Sequence, residues 1–226
     1  MWTKTIKTGL LSVAVMAILS GCGGDDETNA LLPAEYEVVV TNLTNFQPLS
    51  PVGISLDADG SFFSIGERAS SALEHLAEDG DNTGILADMQ ISTSTSGVLL
   101  PGQSAVLTLK KGFGVKKFSS FSMLVNTNDA FTGVNGHNIG SLKVGEKMMF
   151  NTKAYDAGTE ANSESAGTIP GPADGGEGFN ENRDDVNVVQ AHRGVVSKDD
   201  GLATSVLTEQ HKFDNPVMRV IVKRIK

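Results

Sequence analysis

Two carboxylates stand four residues apart across a glycine in Tyr155-Asp156-Ala157-Gly158-Thr159-Glu160, at the end of a strand-like run. A turn of this kind can fold back until both acids and a backbone carbonyl face one point. The chemistry this suits is calcium binding, since calcium takes roughly six to eight oxygen ligands at about 2.3–2.6 Å from carboxylates and main-chain carbonyls alike. On spacing alone, solvated turn acids are the simpler reading, so the segment needs support from elsewhere in the chain.

Other residues with chemical potential carry less. Asp57-Ala58-Asp59-Gly60-Ser61 has the alternating acids and glycine of a calcium loop but lacks the remaining spacing and the terminal Glu, and reads as a surface turn. Asn180, Asn182 and Asp184, with Asp185 beside them, form a similar alternating run. His75, His137, His192 and His211 show neither an H-E-x-x-H pattern nor paired ligand spacing, which argues against zinc. His192, two residues before Gly194, reads as a hydrogen-bonding anchor for its loop. There is no G-x-S-x-G elbow, no phosphate-binding glycine loop and no nucleophile with a base nearby. Paired carboxylates can cleave glycosides, but acids gathered in one tight cluster suit a cation better than a substrate cleft. The expectation is a protein that is not an enzyme.

The elements that must position these residues are mostly strands. Tyr36 to Leu43 is β-branched and bounded by Pro33 and Asn45, which predicts a strand. Ala105 to Leu109, Phe118 to Val125, Lys147 to Tyr155 and Val217 to Ile225 read the same way, and long first and last strands tie both ends into a sheet. One helix is predicted over roughly 67–78, from the spacing of Ala69, Ala72, Leu73, Leu76 and Ala77, with Ser64 and Glu67 in capping-box form. Its narrow Ala/Leu face reads as core packing. Ala161 to Asn187 is long, polar and rich in Gly and Pro, and a stretch like that inside a domain is usually functional or mobile. Many strands, one helix and long loops predict an all-β antiparallel sandwich.

The start of the chain addresses location. Lys4 and Lys7 precede an apolar run from Leu10 to Leu19, and Leu19-Ser20-Gly21-Cys22 follows. A basic head, an apolar middle and small residues at the cut describe a secretory signal, and a cysteine directly after Ser-Gly resembles a bacterial lipobox. The apolar run is shorter than the roughly 20 residues of a membrane span. The expectation is a signal peptide over 1–21, acylation of Cys22, a tether over 22–34 and a folded domain over 35–226. Gly23 rather than Asp after the cysteine favours the outer membrane in enteric-type sorting. Of the 226 residues, removal of 1–21 leaves 205, with 16 basic against 27 acidic side chains and a net charge near −11. Such a balance excludes nucleic acid as a natural partner, because phosphates would repel it. Cys22 is the only cysteine, so no internal disulfide can form.

Asp156 to Glu160 followed by Thr168-Ile169-Pro170 resembles the spondin N-terminal domain family, in which a Tyr-Asp-Ala-Gly-Thr-Asp segment precedes a similar Thr-Ile-Pro. Phe63 to Ser70 with Leu76-Ala77-Glu78-Asp79-Gly80-Asp81, and Met123 to Gly133, resemble two further blocks of that family in the same order. The opening strand with Thr41-Asn42-Leu43-Thr44 and the basic-apolar closing strand fit as well, so the likeness spans about 35–226. It implies an antiparallel sandwich of about eight strands with a calcium ion near one end. Carried over by position, the ligands are Asp129, Asp156 and Glu160, the last standing where the family has Asp. Asn128 replaces a proline and Ala130 a tryptophan, which implies a looser loop before Asp129, and the cysteines of the animal domains are missing. The resemblance implies a cell-envelope binding or adhesion module whose ligand is a glycan, an envelope protein or a lipid surface. A secreted hydrolase using the carboxylate cluster and a purely structural lipoprotein are the alternatives.

Overall fold

The computed structural model describes residues 34–112 and 114–226. The signal segment, Cys22 and most of the tether lie outside the described residues. Two antiparallel sheets face each other. One has four strands, in the order β4 (Ser104–Lys110), β1 (Glu35–Asn42), β10 (Met218–Arg224), β7 (Lys147–Thr152), and the other has six, in the order β3 (Ile91–Ser94), β2 (Gly53–Asp57), β5 (Lys117–Met123), β6 (Ala130–Asn138), β8 (Ala154–Asp156), β9 (Gln190–Ala191).

Alternation in the sequence explains the four-stranded sheet. Along β1 (Glu35–Asn42), Tyr36, Val38 and Val40 point inward, and along β10 (Met218–Arg224), Val220 and Val222 do the same. The two strands pair antiparallel with Val38 opposite Val222 and Val40 opposite Val220, so the first and last strands lie side by side as their sequences predict. β4 (Ser104–Lys110) and β7 (Lys147–Thr152) flank them. The other sheet is built from β2 (Gly53–Asp57), β3 (Ile91–Ser94), β5 (Lys117–Met123), β6 (Ala130–Asn138), β8 (Ala154–Asp156) and β9 (Gln190–Ala191). Between the sheets, Tyr36, Leu109, Val220 and Val222 share one buried cluster with Ile54, Leu56, Phe118 and Val134.

The predicted strand Lys147–Tyr155 is in fact two. β7 pairs with β10 in one sheet, whereas β8 pairs with β6 in the other, and Lys153 marks the crossing. That crossing carries Asp156 to the edge region of the six-stranded sheet. With the strands that sequence alone did not single out, the sandwich has ten strands among the described residues rather than about eight.

A third layer covers the outer face of the six-stranded sheet. Helix α1 (Ser71–Asp79) sets Leu73, Leu76 and Ala77 against Phe121 and Phe131, with Phe62, Phe63 and Tyr155 packed around them. The helix starts later than the Ser64/Glu67 spacing predicts. Ser64 to Glu67 forms a turn, with the Glu67 amide donating to the Ser64 carbonyl at 3.1 Å, and the cap is Ser70, whose hydroxyl accepts from the Leu73 amide at 3.2 Å. A second short helix, α2 (Thr83–Asp88), follows. No helix among the described residues is long and apolar enough to cross a membrane.

Candidate functional site

The three predicted ligands come from one corner of the six-stranded sheet. Asp129 is the residue before β6, Asp156 ends β8, and the two strands pair with Ala130 opposite Asp156. The chain then turns through Gly158 so that residues 157–160 wrap around Asp129. The Ala157 amide donates to the Asp129 carbonyl at 3.2 Å. Asp129 Oδ2 accepts from the Thr159 amide at 2.8 Å, the Glu160 amide at 3.2 Å and Thr159 Oγ1 at 3.3 Å. Gly158 is required here. Its φ is +70°, and a Cβ would meet the Val188 carbonyl oxygen at 2.4 Å.

The loop before Asp129 is held firmly, contrary to the looseness implied by its departures from the family pattern. Asn128 is buried and donates to Thr168 Oγ1 at 2.9 Å and to the Thr168 carbonyl at 3.1 Å. Thr127 Oγ1 donates to the Leu124 carbonyl and accepts from the Ala130 amide. An amide side chain thus does by hydrogen bonding what proline does by restricting φ.

Asp129, Asp156 and Glu160 are all buried. Asp156 Oδ1 accepts from the Gly158 amide at 2.7 Å and its Oδ2 from Asn162 Nδ2 at 2.8 Å. Asp129 Oδ1 has no hydrogen-bond partner, although it is shut away from the surface. A fourth acid belongs to the group, and sequence reasoning missed it. Glu78, near the end of α1, is buried, accepts from the Asn180 amide at 2.9 Å through Oε2 and leaves Oε1 unpartnered. Its family-like Leu-Ala-Glu-Asp-Gly-Asp setting was the available signal, but the helix reads first as a core-packing element.

The electrostatics follow from that crowding. Burial, reinforced by neighbouring Asp156, pushes the Asp129 carboxyl well above the usual carboxylate range. Burial raises Asp156 and Glu78 as well. Glu160 is pushed up to about 8, by burial first and then by Glu78, Asp129, Glu177 and Asp184, all of its own sign. The nearby guanidinium is engaged elsewhere: Arg183 grips Glu74 with contacts of 2.6 and 2.5 Å and also reaches the Ala69 carbonyl and Asn187.

Arg183 also shows what the long polar segment does. Residues 161–187 fold over this corner and are fastened to it, with the Asp184 amide on the Thr159 carbonyl, Asp184 Oδ1 accepting from the Ala161 amide and the Asn187 amide on the Gly158 carbonyl. A cavity of about 70 Å³ opens between them, lined by Glu160, Glu177, Asp184, Asn128, Asn180 and Asn182 among others. The alternating Asn180/Asn182/Asp184 run is therefore brought to the same place as Glu160. Asp57, by contrast, anchors a surface turn, accepting from the Asp59 and Gln90 amides.

Among the described residues, no three His, Cys, Asp or Glu side chains converge closely enough to grip a metal ion as they stand. The reason is visible in the bonds: Asp129 Oδ2 and both oxygens of Asp156 face amides. His192 acts as its loop position suggests. Its Nδ1 accepts from the Gly194 amide at 2.9 Å, and burial lowers its pKa to about 4, so the ring is neutral. No family model matches the chain, and no curated protein is similar to it in sequence.

Proposed function

We propose that this chain is a calcium-binding, non-catalytic module of the spondin N-terminal type, held at the cell envelope by a lipid on Cys22. The observation that carries the calcium reading is Asp129: a fully buried carboxylate with one oxygen lacking any partner, set among Asp156, Glu160 and Glu78. Buried carboxylates at this density must either hold protons or share a cation, because like charges in a poorly solvated corner repel.

The donor set fits a hard cation. It offers oxygen and no sulfur, and the side chains of Asn128, Glu177, Asn180, Asn182 and Asp184 line the adjoining cavity with Glu160. The cavity beside Glu160, at about 70 Å³, has the volume of roughly two waters. A calcium ion would satisfy Asp129 Oδ1 and offset the charge that raises Glu160. Such an ion also pins the 157–160 turn to the 161–187 segment, which makes that end of the sandwich a rigid face for a ligand. Backbone amides fix one oxygen each of Asp129, Asp156 and Glu78, and acids fixed in this way suit a cation better than proton transfer to and from a substrate.

Titration calorimetry of the chain from residue 23 onward tests this reading. Calcium is expected to bind with a Kd of about 10⁻⁴–10⁻³ M, the range of extracellular modules, and Asp129→Asn removes the binding. Absence of binding at several millimolar calcium would overturn it.

A further inference from the structure

Both helices lie over the six-stranded sheet, and among the described residues no helix covers the outward face of the four-stranded sheet. Strand register builds a pattern across it. Val106, Val39, Ile221 and Met149 fall in one row spanning β4, β1, β10 and β7. Val106 is 62 % exposed and Met149 60 % exposed. At about 4.8 Å between strands, the row is roughly 14 Å long. The next row is Thr108, Glu37, Lys223 and Lys147, and the row on the other side is Ser104, Thr41, Arg219 and Asn151.

Charge on this face runs against the rest of the molecule. Lys110, Lys147, Arg219, Lys223 and Lys226 stand against Glu35 and Glu37, with Glu146 at the β7 edge, on a chain with a formal net charge of −9. Glu35 is itself paired with Lys226 at 2.7 Å. At the β7 edge, Lys147, Lys223 and Glu146 border an open hollow of about 610 Å³. The acidic corner belongs to the other sheet, and charges separated by more than a Debye length of about 8–10 Å are largely screened from one another.

We infer that this face docks on an anionic phospholipid bilayer. A flat apolar row bordered by long basic side chains matches such a surface: valine, isoleucine and methionine enter the headgroup boundary while lysine stems lie along it and their ammonium groups meet phosphates. The chain's path favours the same occupant. β1 begins at Glu35, at the Lys110/Lys226 end of this face, and 12 residues lie between it and Cys22, a reach of at most about 45 Å. The inference takes from the lipid-anchor reading only that a bilayer is close. A second copy of the chain would set five cations against five and is disfavoured.

The test is co-sedimentation of the chain from residue 23 onward, which carries no acyl group, with vesicles of phosphatidylcholine alone or mixed with phosphatidylglycerol. The protein is expected to pellet with the mixed vesicles, not with the neutral ones, and to release as salt rises. Each lysine near an anionic surface strengthens binding about fivefold, so Lys147→Glu with Lys223→Glu lowers partitioning at least about 30-fold. Met149→Ser lowers it with the melting temperature unchanged. No pelleting with anionic vesicles overturns the inference, as does equal pelleting of the charge-reversed variant. Loss on Asp129→Asn but not on charge reversal moves the contact to the acidic corner and overturns it too. Self-association without vesicle binding, abolished by Met149→Ser, assigns the face to a second copy instead. Acylation of Cys22 is read separately, from the mass of the native N-terminal peptide, and stands or falls on its own.

Discussion

Replacing Glu160 by glutamine removes a charge and almost nothing else, and its effect should change with pH and with calcium in opposite senses. In the metal-free fold, burial and four neighbouring acids push Glu160 up to about 8, against an ordinary value of 4.5. The folded state then binds a proton more tightly than the unfolded chain. The corresponding stability is present below about pH 4.5 and is lost as pH rises through 8. Between pH 5 and 8 the full shift corresponds to about 3.5 kcal/mol at 1.36 kcal/mol per unit. Glu160 lines a cavity, however, and water reaching it screens part of this, so about 2 kcal/mol is expected. Urea unfolding in EDTA should therefore find Glu160→Gln close to the parent protein at pH 5 and about 2 kcal/mol more stable than it at pH 8. In saturating calcium the order reverses, because the ion's ligand is gone. A difference between the two proteins that is the same at both pH values would refute the electrostatic account of this corner.

Four further outcomes are expected. Arg183→Ala breaks a buried ion pair with Glu74, whose side chain is 7 % exposed, and costs about 3–5 kcal/mol in urea unfolding. His192 is held neutral with its pKa lowered to about 4, so stability is intact above pH 6.5 and is lost as pH falls toward 4, by about 3 kcal/mol at most. His192→Gln flattens that slope in acid-unfolding curves. Gly158→Ala forces a Cβ to 2.4 Å from the Val188 carbonyl and away from a favoured φ; it should lower the melting temperature and weaken calcium binding together.

Much of the sandwich was legible because β1, β4 and β10 alternate, their inward side chains apolar except for Asn42 and Arg224 and their outward ones mostly polar. β6 was not, since Gly133, Asn135 and Gly136 give it the composition of a loop. Its reason is tertiary: a side chain at Gly133 would place Cβ 1.9 Å from the Ser120 carbonyl oxygen, next to an irregular stretch in the β5–β6 pairing. The division of 147–155 between two sheets was hidden too, because a strand that changes sheets keeps its strand propensity throughout. At the site, the turn from Asp156 to Glu160 was readable from spacing, and Asp129 only through the family resemblance. Glu78 and Arg183 were not legible as site residues. Each depends on the 161–187 segment folding back over α1, through Asn180 to Glu78 and through Arg183 to Glu74, and contacts about a hundred residues apart leave no local pattern.

Thermal unfolding of the chain from residue 23 onward, in EDTA and then in calcium, decides whether Asp129 holds a calcium ion. At a hundredfold excess over Kd a bound ion adds about 2.7 kcal/mol, which for a domain of this size raises the melting temperature by roughly 5–10 °C. That rise is expected for the parent protein and none for Asp129→Asn. A melting temperature that calcium leaves unchanged, or one that it raises equally in both proteins, would contradict it.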